Sequence, residues 1–195
     1  MLVLSFFSIP YLCAQQIDFL NAYKEKRVTA VYIEENGITV DGELDESEWS
    51  LARPAKDFIQ TEPLLGEPAT EPTEVRLLYD RNNLYIGVYC FDSEGEKGIV
   101  VNDMARDFNS RNDDTFAIIL DTFDDDRNGI AFGTNPKGAQ RDIQTGADGF
   151  SYNSDWDGVW YVKAKITERG WQAEFAIPFK TLRFPEGESQ LWGVN

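Results

Sequence analysis

Apolar and polar side chains alternate with a period of two along much of this chain, and no long stretch carries the 3.6-residue apolar period of a helix. That pattern restricts the fold to strands that bury one face or both. The clearest case is TEVRLLYDRNNLYIGVYCFD, residues 73–92. Val75, Leu77 and Tyr79 alternate with Arg76 and Leu78, and Asp80-Arg81-Asn82-Asn83 supplies a turn. Leu84, Ile86, Val88 and Cys90 then share one face, with Tyr85, Gly87, Tyr89 and Phe91 on the other. TFAIILDTF (115–123) predicts another strand and NGIAFGTN (128–135) its partner. GVWYVKAKIT (158–167) and GWQAEFAIPF (170–179) alternate in the same way, and the terminal QLWGVN reads as part of a strand. A strand near Val28–Ile33 leads into ITVDGELDESEW. There Asp41-Gly42 turns, Asp45 is placed to cap one helical turn with Glu48 three residues on, and Trp49 is expected in the core. Residues 61–73, with Pro63, Pro68 and Pro72, predict a surface loop. Short strands separated by turn signals predict an all-β protein, an antiparallel β-sandwich.

Composition decides which chemistry such a sandwich can carry. With 42% hydrophobic residues, 195 residues suffice for one domain with its own core. The 34 acidic and 18 basic residues give a net charge of −16, which repels phosphate backbones, so nucleic acid is set aside as a partner. Metal cations and neutral polyols stay open. The chain has no histidine, which removes Ser-His-Asp and Cys-His catalysis and every histidine-ligated metal site. Its two cysteines, Cys13 and Cys90, cannot form a four-thiolate site, and Cys90 within a strand reads as a small core residue. Residues Leu2 to Leu12 are apolar and end in Cys13-Ala14-Gln15, the pattern of a secretory signal cleaved after Ala14, although no Lys or Arg precedes Lys24. The expected organisation is a signal peptide over 1–14, a lead-in over 15–29 and the sandwich over 30–195. A lipidated Cys13 or a buried N-terminal segment are the alternatives. The signal reading implies an exported protein, periplasmic or associated with an outer membrane.

Two polar stretches stand out from the strands. Asp124-x-Asp126-x-Asn128-Gly129 matches the first half of an EF-hand loop, with oxygen donors at alternate positions and then glycine. Its twelfth position is Asn135 instead of a glutamate, and its flanks are strands, so it is not an EF-hand. Asp124, Asp126 and Asn128 are candidate calcium ligands of another kind, or a solvated hairpin tip. The second stretch is NSDWDGVW, residues 153–160. Trp156 lies among polar residues, where it can stack on a sugar ring or anchor a loop. Asn153, Asp157, Arg106, Asp107, Gln140 and Asp142 supply amides, carboxylates and a guanidinium of the kind that bond sugar hydroxyls. Carboxylate pairs such as Asp113-Asp114 or Asp155 with Asp157 permit glycosidase chemistry, but none has a spacing that singles out an acid and a nucleophile.

The blocks ITVDGELDESEW, TEVRLLYDRNNLYIGVYCFD, DDTFAIILDTF, GTNPKGAQRD and GWQAEFAIPFKTLRF, in that order, resemble the family 9 carbohydrate-binding modules, a DOMON-like sandwich. They are most similar to the version found at the N-terminus of bacterial outer-membrane β-barrel proteins. The resemblance implies a jelly-roll-like β-sandwich, often with calcium, that binds oligo- or polysaccharide between aromatic rings, with Trp156 the ring carried over. It also implies a β-barrel following Asn195, so that the chain is truncated at its C-terminus. Three functions follow as expectations. The first is non-catalytic carbohydrate binding in glycan use (carbohydrate catabolism). The second is a structural, plug-like or periplasmic domain of a barrel protein with no sugar site. The third, least favoured, is a glycoside hydrolase.

Overall fold

The computed structural model describes residues 26–146 and 151–195. The expected signal peptide and most of the expected lead-in lie outside the described residues.

Among the described residues ten strands form two five-stranded sheets. The first sheet has the order β1-β2-β3-β9-β8, built from Val31–Tyr32, Thr73–Tyr79, Asn83–Phe91, Gly170–Pro178 and Tyr161–Thr167. The second has the order β10-β4-β5-β6-β7, built from Gly193–Val194, Phe116–Asp121, Gly129–Thr134, Gln140–Thr145 and Tyr152–Asn153. All pairings are antiparallel except β1 with β2, which is parallel. The 73–92 hairpin forms as its alternation predicts. Asp80 closes it by accepting hydrogen bonds at Oδ1 from the backbone N–H groups of Asn82 and Asn83, both at 2.7 Å.

The alternating apolar residues fill the space between the sheets. Val75, Leu77, Leu84, Ile86, Val88, Ile118, Leu120, Phe132, Trp160, Val162, Trp171, Phe175 and Ile177 are all buried in one cluster. A second cluster lies on the outer side of the first sheet. There Ile33, Ile38, Trp49 and Ala52 cover Leu78, Tyr85 and Ala176. Strands β3 and β9 are therefore buried on both faces, which explains their near-continuous apolar sequence. Trp49 enters this outer cluster from a short 3-10 turn over Ser47–Leu51. Asp45 does not cap that turn. Glu46 precedes it, with no side-chain cap bond, because its carboxylate accepts instead from the Thr39 backbone N–H and the Trp49 indole N–H.

Strand β6 is one that the alternation does not announce. Gln140-Arg141-Asp142 pairs with β5 across Thr134, Gly133 and Phe132. Register sends Gln140 and Asp142 to the same side as Thr134 and Phe132, toward the sandwich interior, and Arg141 outward with Gly133. A strand with charges on both faces has no apolar alternation to betray it.

Candidate functional site

Two of the polar groups expected to meet a ligand face inward at β6, and the fold closes that side of the sandwich with two loops. Residues 103–109 come from the connection between β3 and β4. Residues 154–160 run from β7 across to β8 in the other sheet. Asp107 donates its backbone N–H to the Gln140 carbonyl at 2.8 Å, which docks the first loop on β6.

Arg106 is the centre of the arrangement. Its Nη2 bonds Asp142 Oδ1 at 2.7 Å and pairs with Asp157, and its Nη1 donates to Gln140 Oε1 at 3.1 Å. Nη2 also reaches the Gly158 carbonyl at 3.4 Å. Asp142 accepts a second bond, from the Gly158 N–H to Oδ2 at 2.6 Å. Gln140 Nε2 donates to the Trp160 carbonyl at 2.9 Å. One buried carboxylate thus holds a guanidinium and a loop backbone at once. The Arg106 side chain is 37% exposed, whereas that of Asp142 is 0% exposed.

Asp142 is therefore not placed to bond a sugar hydroxyl, contrary to the sequence expectation. Both its oxygens are used inside the protein, and its work is to orient Arg106. Gln140 is half-buried with both ends of its amide engaged. Arg106, Gln140 and Asp142 are brought together as the sequence suggests. Asn153 is exposed on β7, where its Oδ1 accepts from the Asp155 N–H at 3.2 Å. Asp107 is exposed and holds a positive φ of 58°.

Trp156 is half-buried, packed against the inter-sheet core. Its ring meets Phe132 edge-on, with centroids 6.1 Å apart at 74°. A Cβ added at Gly158 would lie 2.5 Å from its Cη2, so the glycine is what lets the indole fold back onto its own loop. Trp156 is thus a loop anchor with part of its ring in solvent, beside the loop backbone that Arg106 bonds. Asp157, a carboxylate the sequence reading offers to sugar hydroxyls, pairs with Arg106 instead. The sequence reading left Gly158 out of the site, and its signal was the Asp-Gly turn dipeptide placed directly after Trp156.

The acidic tip between β4 and β5 is organised by residues other than the three expected metal ligands. Asp121 Oδ2 accepts from the backbone N–H groups of Asp125 and Asp126, both at 2.8 Å. Asp125 Oδ1 accepts from Arg127 N at 2.8 Å and Asn128 N at 2.9 Å, and the Asn128 amide donates to Asp125 Oδ2. These bonds, the Asn128 side chain foremost, hold the Asp125 carboxyl below its usual pKa. Asp124 and Asp126 are exposed with positive φ of 52° and 56°. Among the described residues no three His, Cys, Asp or Glu side chains gather as a metal site. The two carboxylates that bind the loop's own N–H groups are Asp121 and Asp125, while those of Asp124 and Asp126 lie exposed.

Cys90 is half-buried, and burial pushes its thiol up to about 12, far from a reactive thiolate. Tyr89 stacks on Phe91 with centroids 4.3 Å apart, and Arg169 lies 5.1 Å from the Phe91 centroid. That ring, in a surface cleft of about 410 Å³ with Ser93 and Glu168, is already engaged within the protein.

No protein-family model matches the sequence, and no curated protein matches it either. Solved structures do share its architecture. A family 9 carbohydrate-binding module from Caldicellulosiruptor kristjanssonii, solved in complex with glucose, superposes with a TM-score of 0.54 at 18% identity, covering 85% of this chain and 75% of the module. The same module with cellotriose gives the same TM-score of 0.54. A candidate carbohydrate-binding protein from Bacteroides uniformis gives 0.56 at 11% identity, over 84% of this chain and 79% of that one. The chain has the β-sandwich fold of the family 9 carbohydrate-binding modules.

Proposed function

We propose that this domain binds saccharide without cleaving it, at the β6 edge of the sandwich. The observation that carries the reading is the half-exposed Arg106 guanidinium, held by buried Asp142 beside the loop that bears half-exposed Trp156. A sugar presents an apolar C–H face to an aromatic ring and hydroxyls to planar donors, and this pairing supplies both. Exposed Asn153, Asp107 and Asp155 add hydrogen-bonding groups nearby. The solved relatives of this fold with glucose and cellotriose support the same ligand class. A single small face of this kind gives roughly −4 to −8 kcal/mol, millimolar to micromolar affinity.

Cleavage is left out of the proposal for a structural reason. The two carboxylates at the Arg106 guanidinium, Asp142 and Asp157, both pair with it. The carboxyl whose pKa is raised toward that of a general acid, Glu174, is sealed in the outer cluster under Trp49. The proposed setting is export and glycan use at a bacterial outer membrane. It is supported by the apolar N-terminal run and by the sequence resemblance.

A second reading, a structural domain of a barrel protein with no sugar site, is favoured by one observation: Arg106, Gln140 and Asp142 satisfy one another, and Trp156 leans on Phe132. Calorimetric titration with a panel of neutral mono- and oligosaccharides separates the two. Saturable heat that is lost in Trp156→Ala and in Arg106→Ala supports the binding site. No heat with any sugar from the folded protein would support the structural reading.

A further inference from the structure

Glu174 lies on β9, facing outward from the first sheet, yet it is 0% exposed. Segment 38–49 covers it. Glu174 Oε2 accepts from the backbone N–H groups of Asp41 and Gly42, both at 2.9 Å. Its Oε1 accepts from the Trp49 indole N–H at 3.1 Å, and Glu46 Oε2 accepts from the same N–H at 3.2 Å. Two carboxyl groups therefore bracket one donor hydrogen, and one of the two has no contact with water.

Among the described residues neither Glu46 nor Glu174 forms an ion pair. Lys163 sits across from Glu174 on β8 but is exposed and makes no salt bridge, Lys165 pairs with Glu43, and Arg76 on β2 pairs with Glu74. On β3 the nearest outward neighbours are Gly87, which carries no charge, and Tyr85, whose hydroxyl donates to Asp80. Within the covering segment Asp41, Glu43, Asp45 and Glu48 add only negative charge. Two ionised carboxylates that meet at one N–H, without a paired cation and with one desolvated, repel each other.

We infer that Glu174 is protonated in the closed domain below neutral pH, and that this neutral carboxyl latches segment 38–49 onto the outer face of the first sheet. When the proton leaves, Glu174 regains hydration only if the segment lifts. Lifting removes Ile38 and Trp49 from Leu78, Tyr85 and Ala176. Burial, and secondarily the Glu46 charge, raises the Glu174 carboxyl from 4.5 to about 7, against the pull of its three N–H donors, which agrees with this geometry. Because the closed form prefers the protonated carboxyl, closure is favoured most at acidic pH. It weakens as pH rises from 4.5 to about 7 and is level above that.

The test is hydrogen exchange of the intact chain, followed by mass spectrometry from pH 5 to 8 and corrected for intrinsic exchange. Protection of segment 38–52 falls on the order of a hundredfold across that range relative to strand β3. In Glu46→Gln the fall is smaller, since one of the two repelling charges is gone. Carbon-13 NMR of the glutamate carboxyls provides a readout that needs no variant: one buried carboxyl titrates between pH 6 and 8. Protection of 38–52 that does not change with pH, or a Glu174 carboxyl that ionises below pH 5, would overturn the inference.

Discussion

Replacing Gly87 by alanine should destabilise the domain far more than the same change at Gly133, although both glycines sit within strands. The Cβ of an alanine at 87 would lie 2.8 Å from Leu44 Cδ2 and 2.8 Å from Trp49 Cζ3. That is inside van der Waals contact, so the indole must move. Overpacking of this kind costs about 1 to 3 kcal/mol. A displaced indole also withdraws its N–H from Glu174, and a buried acceptor short of one donor costs about 1 to 3 kcal/mol more. Alanine in a strand recovers roughly 0.5 to 1 kcal/mol of backbone entropy. The net expectation is a loss of about 1 to 5 kcal/mol, centred near 3. At Gly133 the new methyl would meet Ala117 Cβ and the Phe116 carbonyl oxygen at 3.5 Å, ordinary contact distances, so the same entropy gain stands there almost unopposed and the variant should be as stable as the parent or more so, by up to about 1 kcal/mol. Urea denaturation of both variants, read by tryptophan fluorescence with m-values compared, measures the difference. A Gly87→Ala variant as stable as the parent would refute the argument that Trp49 is held tightly against β3. Equal losses at both positions would refute the claim that packing above the glycine sets the cost.

Three further outcomes follow from the same geometry. Asp142→Ala leaves Arg106 without its buried partner and the Gly158 N–H without an acceptor, so thermal or urea unfolding should show a loss of about 3 kcal/mol, with Arg106→Ala comparable because it strands Asp142. The folded protein binds a proton at Glu174 more tightly than the unfolded chain does, so stability should fall as pH rises from 4.5 to about 7, by about 3 kcal/mol, and then level off; stability curves of Glu174→Gln should lack that slope. Cys90, with its thiol near 12, should resist iodoacetamide at pH 8 in the native protein and react readily in urea, as counted by intact mass.

The strands that carry the inter-sheet core were legible because burial on one face writes itself as alternation. Leu84, Ile86 and Val88 have to point the same way, and no helix offers that spacing. Turns were legible for a similar local reason: Asp80 and Asn83 close a hairpin through bonds within four residues. The parallel edge strand β1 and the polar strand β6 were not legible in full. β1 pairs over two residues with a strand more than 40 positions away, and β6 has charges on both of its faces.

At the candidate site the sequence by itself determined which side-chain chemistry was on hand: a tryptophan among acids and amides, an arginine, and no histidine. Only the tertiary structure decided what each group does. Asp142 and Gln140 become anchors because the register of β6 turns them inward. Arg106 becomes the exposed group because a loop 36 residues earlier lays it across them. Among the described residues Asp124 and Asp126 gather no third carboxylate, and Asp121 and Asp125 turn to the backbone of their own loop. Glu174 looks like an outward, solvated position in an alternating strand until segment 38–49 folds over it. Alternation records which face of a strand a residue occupies, but whether that face meets water depends on chain more than 100 residues away.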